Sequence, residues 1–262
     1  MPYVDTHCHL DHHEGLSPAE QVERARAAGV RTMITVGTDM ASSTQAVRTA
    51  ARFDGVWAAV GVHPNDAMEA TPPVLDVIDR LAQDERVVAV GETGMDYYRE
   101  YTTPAQQEAS FRAQIQIARE RDRALVIHCR EAWDDCLDVL EDEGAPERVV
   151  MHCFSGDLAV TKRCADRGWF LSFAGNLTFR NAQELRDAAA AAPLELLLTE
   201  TDSPFLTPHP HRGKPNDPSY VPYTLRTLAE VQLRPVDEVE AAVERNAVRA
   251  FALPVDAGEH PR

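Results

Sequence analysis

Basic side chains are scarce in this chain. Against 42 Asp and Glu there are only 26 Lys and Arg, a formal charge of -16 over 262 residues. That deficit argues against broad electrostatic binding to nucleic acid or to an anionic membrane, since both call for a basic surface. A polyanionic ligand would have to be met locally, by metal ions or a few basic side chains. The chain also lacks an apolar stretch long enough to span a bilayer, and it does not open with a basic segment followed by an apolar run. Neither a membrane span nor a signal peptide is therefore expected, and the expectation is a soluble cytoplasmic protein. Cysteines are few and odd in number: Cys8, Cys129, Cys136, Cys153 and Cys164 contain no Cys-X-X-Cys pair. Free thiols in a reducing compartment fit better than a disulfide framework. Nothing indicates an obligate protein partner.

What the chain does contain is a regular alternation. Short runs rich in Val, Ile, Leu and Phe fall at 4–9, 32–37, 56–63, 87–92, 124–128, 149–152, 169–174 and 196–202. Each is nearly continuous in apolar residues, as a parallel strand buried on both faces should be. The segments between them carry helix signals. Ser17-Pro18-Ala19-Glu20 reads as a capped helix start running towards Gly29, and Thr71-Pro72 and Thr103-Pro104 open helices in the same way. A long helical pattern covers 104–121, and two more helices are expected near 220–231 and 236–251. Eight βα units match a single-domain α/β fold, the (β/α)8 TIM barrel over residues 1–254, followed by a fraying polar tail at 255–262. The structural rival is an open doubly wound sheet, but no Gly-X-Gly-X-X-Gly turn follows the first strand.

Polar residues interrupt these runs almost only at their C-terminal ends. His7 and His9 lie on the first, spaced so that both point to one face, and His63, Glu92, His128, His152 and Asp202 close later ones. In a parallel barrel all these ends open on one mouth, where barrel active sites are built. A single His at a strand end is more often bonded to nearby backbone. Several imidazoles and carboxylates converging in one buried place are costly without a cation. Six candidate ligands, His7, His9, Glu92, His128, His152 and Asp202, favour two divalent ions over one, with Glu92 as the natural bridge. The donor set accepts zinc, manganese, magnesium or cobalt to differing degrees. Gly91 and Gly94 flank Glu92 and leave room beside its carboxylate.

The chain resembles the TatD family of metal-dependent deoxyribonucleases, within the superfamily of metal-dependent hydrolase barrels. The matching stretches run from the first strand to the last helix: Asp5-Thr6-His7-Cys8-His9-Leu10, Gly61-Val62-His63-Pro64, Gly91-Glu92-Thr93-Gly94-Met95-Asp96-Tyr97-Tyr98, Val126-Ile127-His128-Cys129-Arg130, His152-Cys153-Phe154-Ser155-Gly156, Thr199-Glu200-Thr201-Asp202-Ser203-Pro204, Arg212-Gly213-Lys214-Pro215-Asn216 and Asn246-Ala247-Val248-Arg249. The resemblance implies that His7, His9, Glu92 and Asp202 hold one ion and that Glu92, His128 and His152 hold the other. It assigns Asp202 the proton of the nucleophilic water, with Glu92 beside it as the second catalytic carboxylate. Met95, where Leu is commoner, and Pro215 depart from the family pattern outside the ligand set.

The expected reaction is hydrolysis of phosphodiester bonds in DNA by a metal-bound hydroxide, as a 3'-5' exonuclease on single-stranded or frayed ends. A barrel hydrolase of a small ester, amide or phosphotriester is the alternative, since the fold alone does not choose. Substrate contacts are expected from His63 and from cations at Arg130, Arg180, Arg212 and Lys214, which suit phosphate recognition. Tyr97 and Tyr98 are candidates for base stacking, with packing of the loop as the competing role. Asp96 is expected to orient a neighbouring ligand or base. Ser155 and Gly156 are expected to offer donors to an anion at the start of a helix.

Overall fold

The computed structural model describes residues 3–254, and the expected frayed tail at 255–262 lies outside them. Eight parallel strands form one sheet in sequence order: β1 Tyr3–Cys8, β2 Val30–Val36, β3 Val56–Val60, β4 Val87–Asp96, β5 Ala124–Arg130, β6 Val149–Met151, β7 Phe170–Phe173 and β8 Leu197–Thr199. The doubly wound alternative fails on this order, which never reverses. Closure comes where the chain passes from β8 back to β1. The Asp202 amide donates to His7 O at 2.9 Å, His9 N donates to Ser203 O at 2.8 Å, and Cys8 bridges Ser203. Hydrogen bonds that close the barrel thus lie among the candidate ligands.

Helices wrap the outside: α1 Pro18–Ala27, α2 Met40–Ala50, α3 Pro72–Leu81, α4 Pro104–Glu120, α5 Trp133–Glu143, α6 Leu158–Ala165, α7 Gln183–Ala191, α8 Val221–Val231 and α9 Val236–Phe251. Proline follows the cap residue at each of the three expected starts, but Thr71 makes no side-chain cap bond on α3, unlike Ser17 and Thr103. Ser17 and Glu20 form a reciprocal capping box on α1, and Thr103 and Gln106 do the same on α4. Buried strand residues alternate between two layers. Met33, Leu125, Met151 and Leu171 pack towards the helices, whereas Val4, Ile34, Val126, Val150 and Leu198 form a second cluster with Ala247, Ala250 and Phe251 of α9. The C-terminal turns of α9 thus cover this inner layer from one end of the barrel, and the mouth formed by the C-terminal strand ends is left for chemistry.

Several strands differ in extent from the apolar runs. β3 stops at Val60, and His63 instead caps the 3-10 helix Pro64–Glu69 by accepting the Asn65 N–H on Nδ1. β6 and β8 end before His152 and Asp202. In those places the functional residues hang just beyond the ladder, where backbone is not bound to strand geometry. β4 runs on to Asp96 because Thr93 to Asp96 continue to pair with Ile127 to Arg130 of β5. All five cysteines are free, as expected.

On the outer layer, Arg121 at the end of α4 grips Asp79 of α3 through two bonds, Nε to Oδ1 at 2.7 Å and Nη2 to Oδ2 at 2.6 Å. The guanidinium holds the Asp79 carboxyl below its ordinary value of 3.8. A depressed carboxyl stabilises the fold above the unfolded value and loses that contribution as pH falls through the folded one. Asp79→Asn is therefore expected to lower the thermal midpoint at pH 7, with the difference from wild type shrinking below pH 3.8. Paired melting curves across pH check this, and an undiminished gap in acid would contradict it.

Candidate metal centre

Two strands that carry ligands are bulged at the ligand. Between Asp5 and Cys8, β1 takes three steps while β2 takes two from Met33 to Thr35. Between Val90 and Thr93, β4 does the same against Leu125 to Ile127 of β5. Bulges re-aim side chains next to active sites, and here they turn His7 and Glu92 into the mouth. Gly91 and Gly94 make the second bulge possible. Both have strongly positive φ, 137° and 133°. A Cβ at Gly91 would sit 2.3 Å from Val126 O, and one at Gly94 would sit 2.1 Å from His128 O. The room these glycines save is thus against β5, which lets Glu92 reach His128.

The Glu92 carboxylate, 3 % exposed, lies at the centre. Its Oε2 faces His7 Nε2 at 3.4 Å and His9 Nε2 at 3.9 Å. Its Oε1 faces His128 Nδ1 at 2.8 Å, His152 Nε2 at 3.0 Å and His63 Nε2 at 3.5 Å. Asp202 Oδ1 completes the first side, 3.5 Å from His9 Nε2 and 4.0 Å from His7 Nε2. The structure therefore brings all six predicted ligands together. It draws in His63 as well, so that three overlapping groups of possible ligands form: His7–His9–Asp202, His7–Glu92–His152 and His63–Glu92–His128.

Hydrogen bonds behind the rings fix which nitrogen three of the histidines present. His9 Nδ1 is committed to Val36 O at 2.9 Å, His152 Nδ1 to Glu200 Oε1 at 2.8 Å and His128 Nε2 to Asp96 Oδ2 at 3.1 Å. With those nitrogens donating, each neutral ring turns a bare nitrogen inwards, onto carboxylate oxygens or, for His9, also onto His7 Nε2 at 3.3 Å. His7 Nδ1 is buried with no hydrogen-bond partner among the described residues. Lone pairs facing lone pairs at such distances repel unless a proton or a cation lies between them, and the His and carboxylate mixture fits divalent ions. His63 differs, since its Nδ1 accepts the Asn65 N–H and its neutral ring carries the proton on Nε2.

The electrostatics follow from burial and crowding. Burial alone would raise the Glu92 carboxyl, but His152, His63 and His128 hold it well below the usual carboxylate range. Asp202 is likewise held low, burial being outweighed by His9, His152 and His7. Burial and the neighbouring His152 push His7 down. His152 is pushed well up despite its burial by Glu200 and Glu92, and His128 is raised against burial by Asp96 and Glu92.

Two buried carboxylates went unread in the sequence. Glu200, fully buried, accepts from His152 Nδ1 and from Cys153 N at 2.9 Å. Asp5 accepts from Thr201 N at 2.8 Å and Thr201 Oγ1 at 2.6 Å, tying β1 to the end of β8, and burial pushes its carboxyl up to about 8. The available signal was an acidic residue inside an otherwise apolar run, two positions from a candidate ligand in each case.

The expected substrate contacts sort less simply. A mouth cavity of about 680 Å³ is lined by His9, His63, Glu92, His128, His152 and Asp202 and by Arg130, Ser155, Tyr101 and Phe205. Arg130 lies over the Tyr98 ring, 3.5 Å from its centroid. Tyr97 points away, its hydroxyl donating to Asp135 of α5 at 2.6 Å, so it is not among the cavity residues. Lys214 is exposed outside the cavity lining, with its carbonyl bound by Thr207. Arg212 packs on Phe179 at 3.8 Å and Arg180 is exposed. Asp157, not Ser155 or Gly156, caps α6, and its carboxylate takes the Val160 N–H that an anion would have used. Gly156 is needed for packing, because a Cβ there would meet Val160 at 2.5 Å.

A closed parallel barrel with histidines and carboxylates gathered at its C-terminal mouth defines the class of metal-dependent hydrolases. Residues 4–252 match the family described as TatD related DNase, and the chain belongs to that family. It is 44% identical over 258 residues to an uncharacterized metal-dependent hydrolase TatD of Mycobacterium tuberculosis, covering 95% of this chain and 98% of that one. It is 38% identical to a 3'-5' ssDNA/RNA exonuclease TatD of Klebsiella pneumoniae, covering 90% and 92%. The crystal structure of YJJV, a TatD homolog from Escherichia coli, superposes with a TM-score of 0.90 at 29% identity, over 96% of this chain and 98% of that one. No helix among the described residues is long and apolar enough to cross a membrane.

Glu200 fixes which nitrogen His152 presents, and loss of such a partner weakens metal binding by about 10- to 100-fold. Glu200→Gln is expected to weaken divalent-ion binding by about tenfold in a calorimetric metal titration, with the fold retained by circular dichroism. Unchanged affinity would contradict the assignment.

Proposed function

We propose that the chain hydrolyses phosphodiester bonds of single-stranded or frayed nucleic acid, DNA above all, from the 3' end, with two divalent ions drawn from zinc, magnesium and manganese. The observation that carries this reading is the Glu92 carboxylate set between two groups of ligands, Oε2 towards His7 and His9 and Oε1 towards His128 and His152. Relatives from Klebsiella pneumoniae and Salmonella typhimurium, 38% and 39% identical, bear the name 3'-5' ssDNA/RNA exonuclease, which supports the same substrate class here. His7, His9, Glu92 and Asp202 would hold one ion and Glu92, His128 and His152 the other. Bound there, the ions would neutralise phosphate charge, generate a nucleophile near neutral pH and stabilise the leaving oxygen.

The chain's own residues would do the rest. Asp202, held ionised by His9, orients the attacking water and accepts its proton. His63, whose Nδ1 is occupied by the Asn65 amide, turns its Nε2–H towards the site and donates to a phosphate oxygen. Arg130, braced on Tyr98, offers a planar pair of donors at the cavity wall. Asp96 steadies His128 through its Nε2. Local charge in the mouth in this way reconciles an acidic surface with a polyanionic substrate.

The test is product analysis on a 5'-labelled single-stranded oligonucleotide with zinc, magnesium and manganese in turn. A ladder shortening from the 3' end, abolished by chelator, is expected. Intact oligonucleotide alongside hydrolysis of small esters, amides or phosphotriesters would overturn the reading.

A further inference from the structure

Large apolar side chains left in water are unusual when they gather around one opening, and such gatherings mark binding surfaces. At this mouth two aromatics face the cavity and solvent together: Tyr101, 65% exposed, and Phe205, 55% exposed. Tyr101 lies on the loop after β4 and Phe205 on the segment after β8. In a ring of eight strands those are four places apart, so the two residues enter the cavity from loops on opposite sides of the barrel, and they share that cavity with the ligand cluster. Phe205 meets His9 edge-on, with ring centroids 6.2 Å apart.

Neither ring is exposed because its backbone is loose. The buried Asn216 donates through Nδ2 to Phe205 O at 2.6 Å and to Thr201 O at 2.9 Å, and its own amide donates to Pro204 O at 3.2 Å. The Phe205 amide in turn donates to Asp202 O at 2.8 Å. Beside Tyr101, the hydroxyl of Thr102 donates to Pro64 O at 2.6 Å and accepts from Gln107 Nε2 at 3.2 Å. Each aromatic is thus held out on a pinned support next to a buried polar anchor. Tyr98, by contrast, is not among the cavity residues and carries the Arg130 guanidinium on its ring.

We infer that Tyr101 and Phe205 are the stacking platforms for unpaired nucleobases on either side of the scissile phosphate, and so make the site select single strands. The inference rests on the phosphodiesterase reading and deepens it. A planar base has a π-face whatever its identity, so two aromatic platforms grip any sequence, and a base paired in a duplex cannot reach them. Two rings at fixed positions also place the intervening phosphate against the Glu92 and Asp202 carboxylate region.

The experiment compares kcat/KM on two single-stranded oligonucleotides that share a sugar-phosphate backbone, one with bases at its 3' end and one with reduced abasic residues there. The wild-type protein should prefer the first. The ratio of the two values should fall about tenfold in Phe205→Ala and in Tyr101→Ala, within the range expected for loss of base stacking, whereas Tyr101→Phe should restore it. Metal content and melting temperature are measured on every variant to confirm the fold. An unchanged ratio in both alanine variants, or equal loss on both substrates, would overturn the inference while leaving the hydrolytic reading intact. Wild-type protein that cleaves neither oligonucleotide would sink the underlying reading, and the platforms with it.

Discussion

A single buried carboxylate sets the terms for this molecule. Glu92 is withdrawn from water at the mouth of the barrel, with imidazole nitrogens within hydrogen-bond or ion-pair distance of both of its oxygens. A charge so placed is tolerable only when paired, and most of the local architecture supplies or supports the partners. The bulge in β4 aims the side chain, Gly91 and Gly94 bring β4 close enough to β5 for His128 to reach it, and Asp96 and Glu200 fix the rings of His128 and His152 from behind. The bonds that close the barrel run through His7, His9 and Asp202 themselves. The backbone that closes the barrel therefore also positions part of the site.

The barrel was legible because its signals are redundant. Buried parallel strands need unbroken apolar runs, helix starts need capping side chains, and eight repetitions of that pair leave few topologies open. The ligands were legible for a related reason. Val149, Val150 and Met151 are all buried and apolar, so the His152 that follows stands out against them. Long-range side-chain partnerships were not legible. Glu200 looks like one more acid before Asp202, and only the folded chain shows its oxygen on His152, 48 positions earlier. Tyr97 and Tyr98 are neighbours in sequence, yet one turns to Asp135 on α5 and the other lies under Arg130. Tyr101 and Phe205 carried no periodic signal, because their exposure is set by anchors elsewhere, Asn216 among them.

Charge is distributed with similar economy. The chain as a whole is strongly acidic, and the cavity adds the carboxylates of Asp66, Glu92 and Asp202 while Arg130 is its only guanidinium among the described residues. Attraction for a polyanion therefore has to come from ions held by the site, with aromatic contact adding affinity that does not depend on charge. Such a surface resists indiscriminate coating of nucleic acid.

On the proposed reading, Glu92 joins two ion sites into one. The most direct measurement is the number of divalent ions retained per chain, by elemental analysis after exhaustive dialysis, for the wild-type protein and for Glu92→Gln. The wild-type chain should retain two and the variant no more than one, with the barrel intact by circular dichroism. Two ions retained by the variant at undiminished affinity would contradict the account.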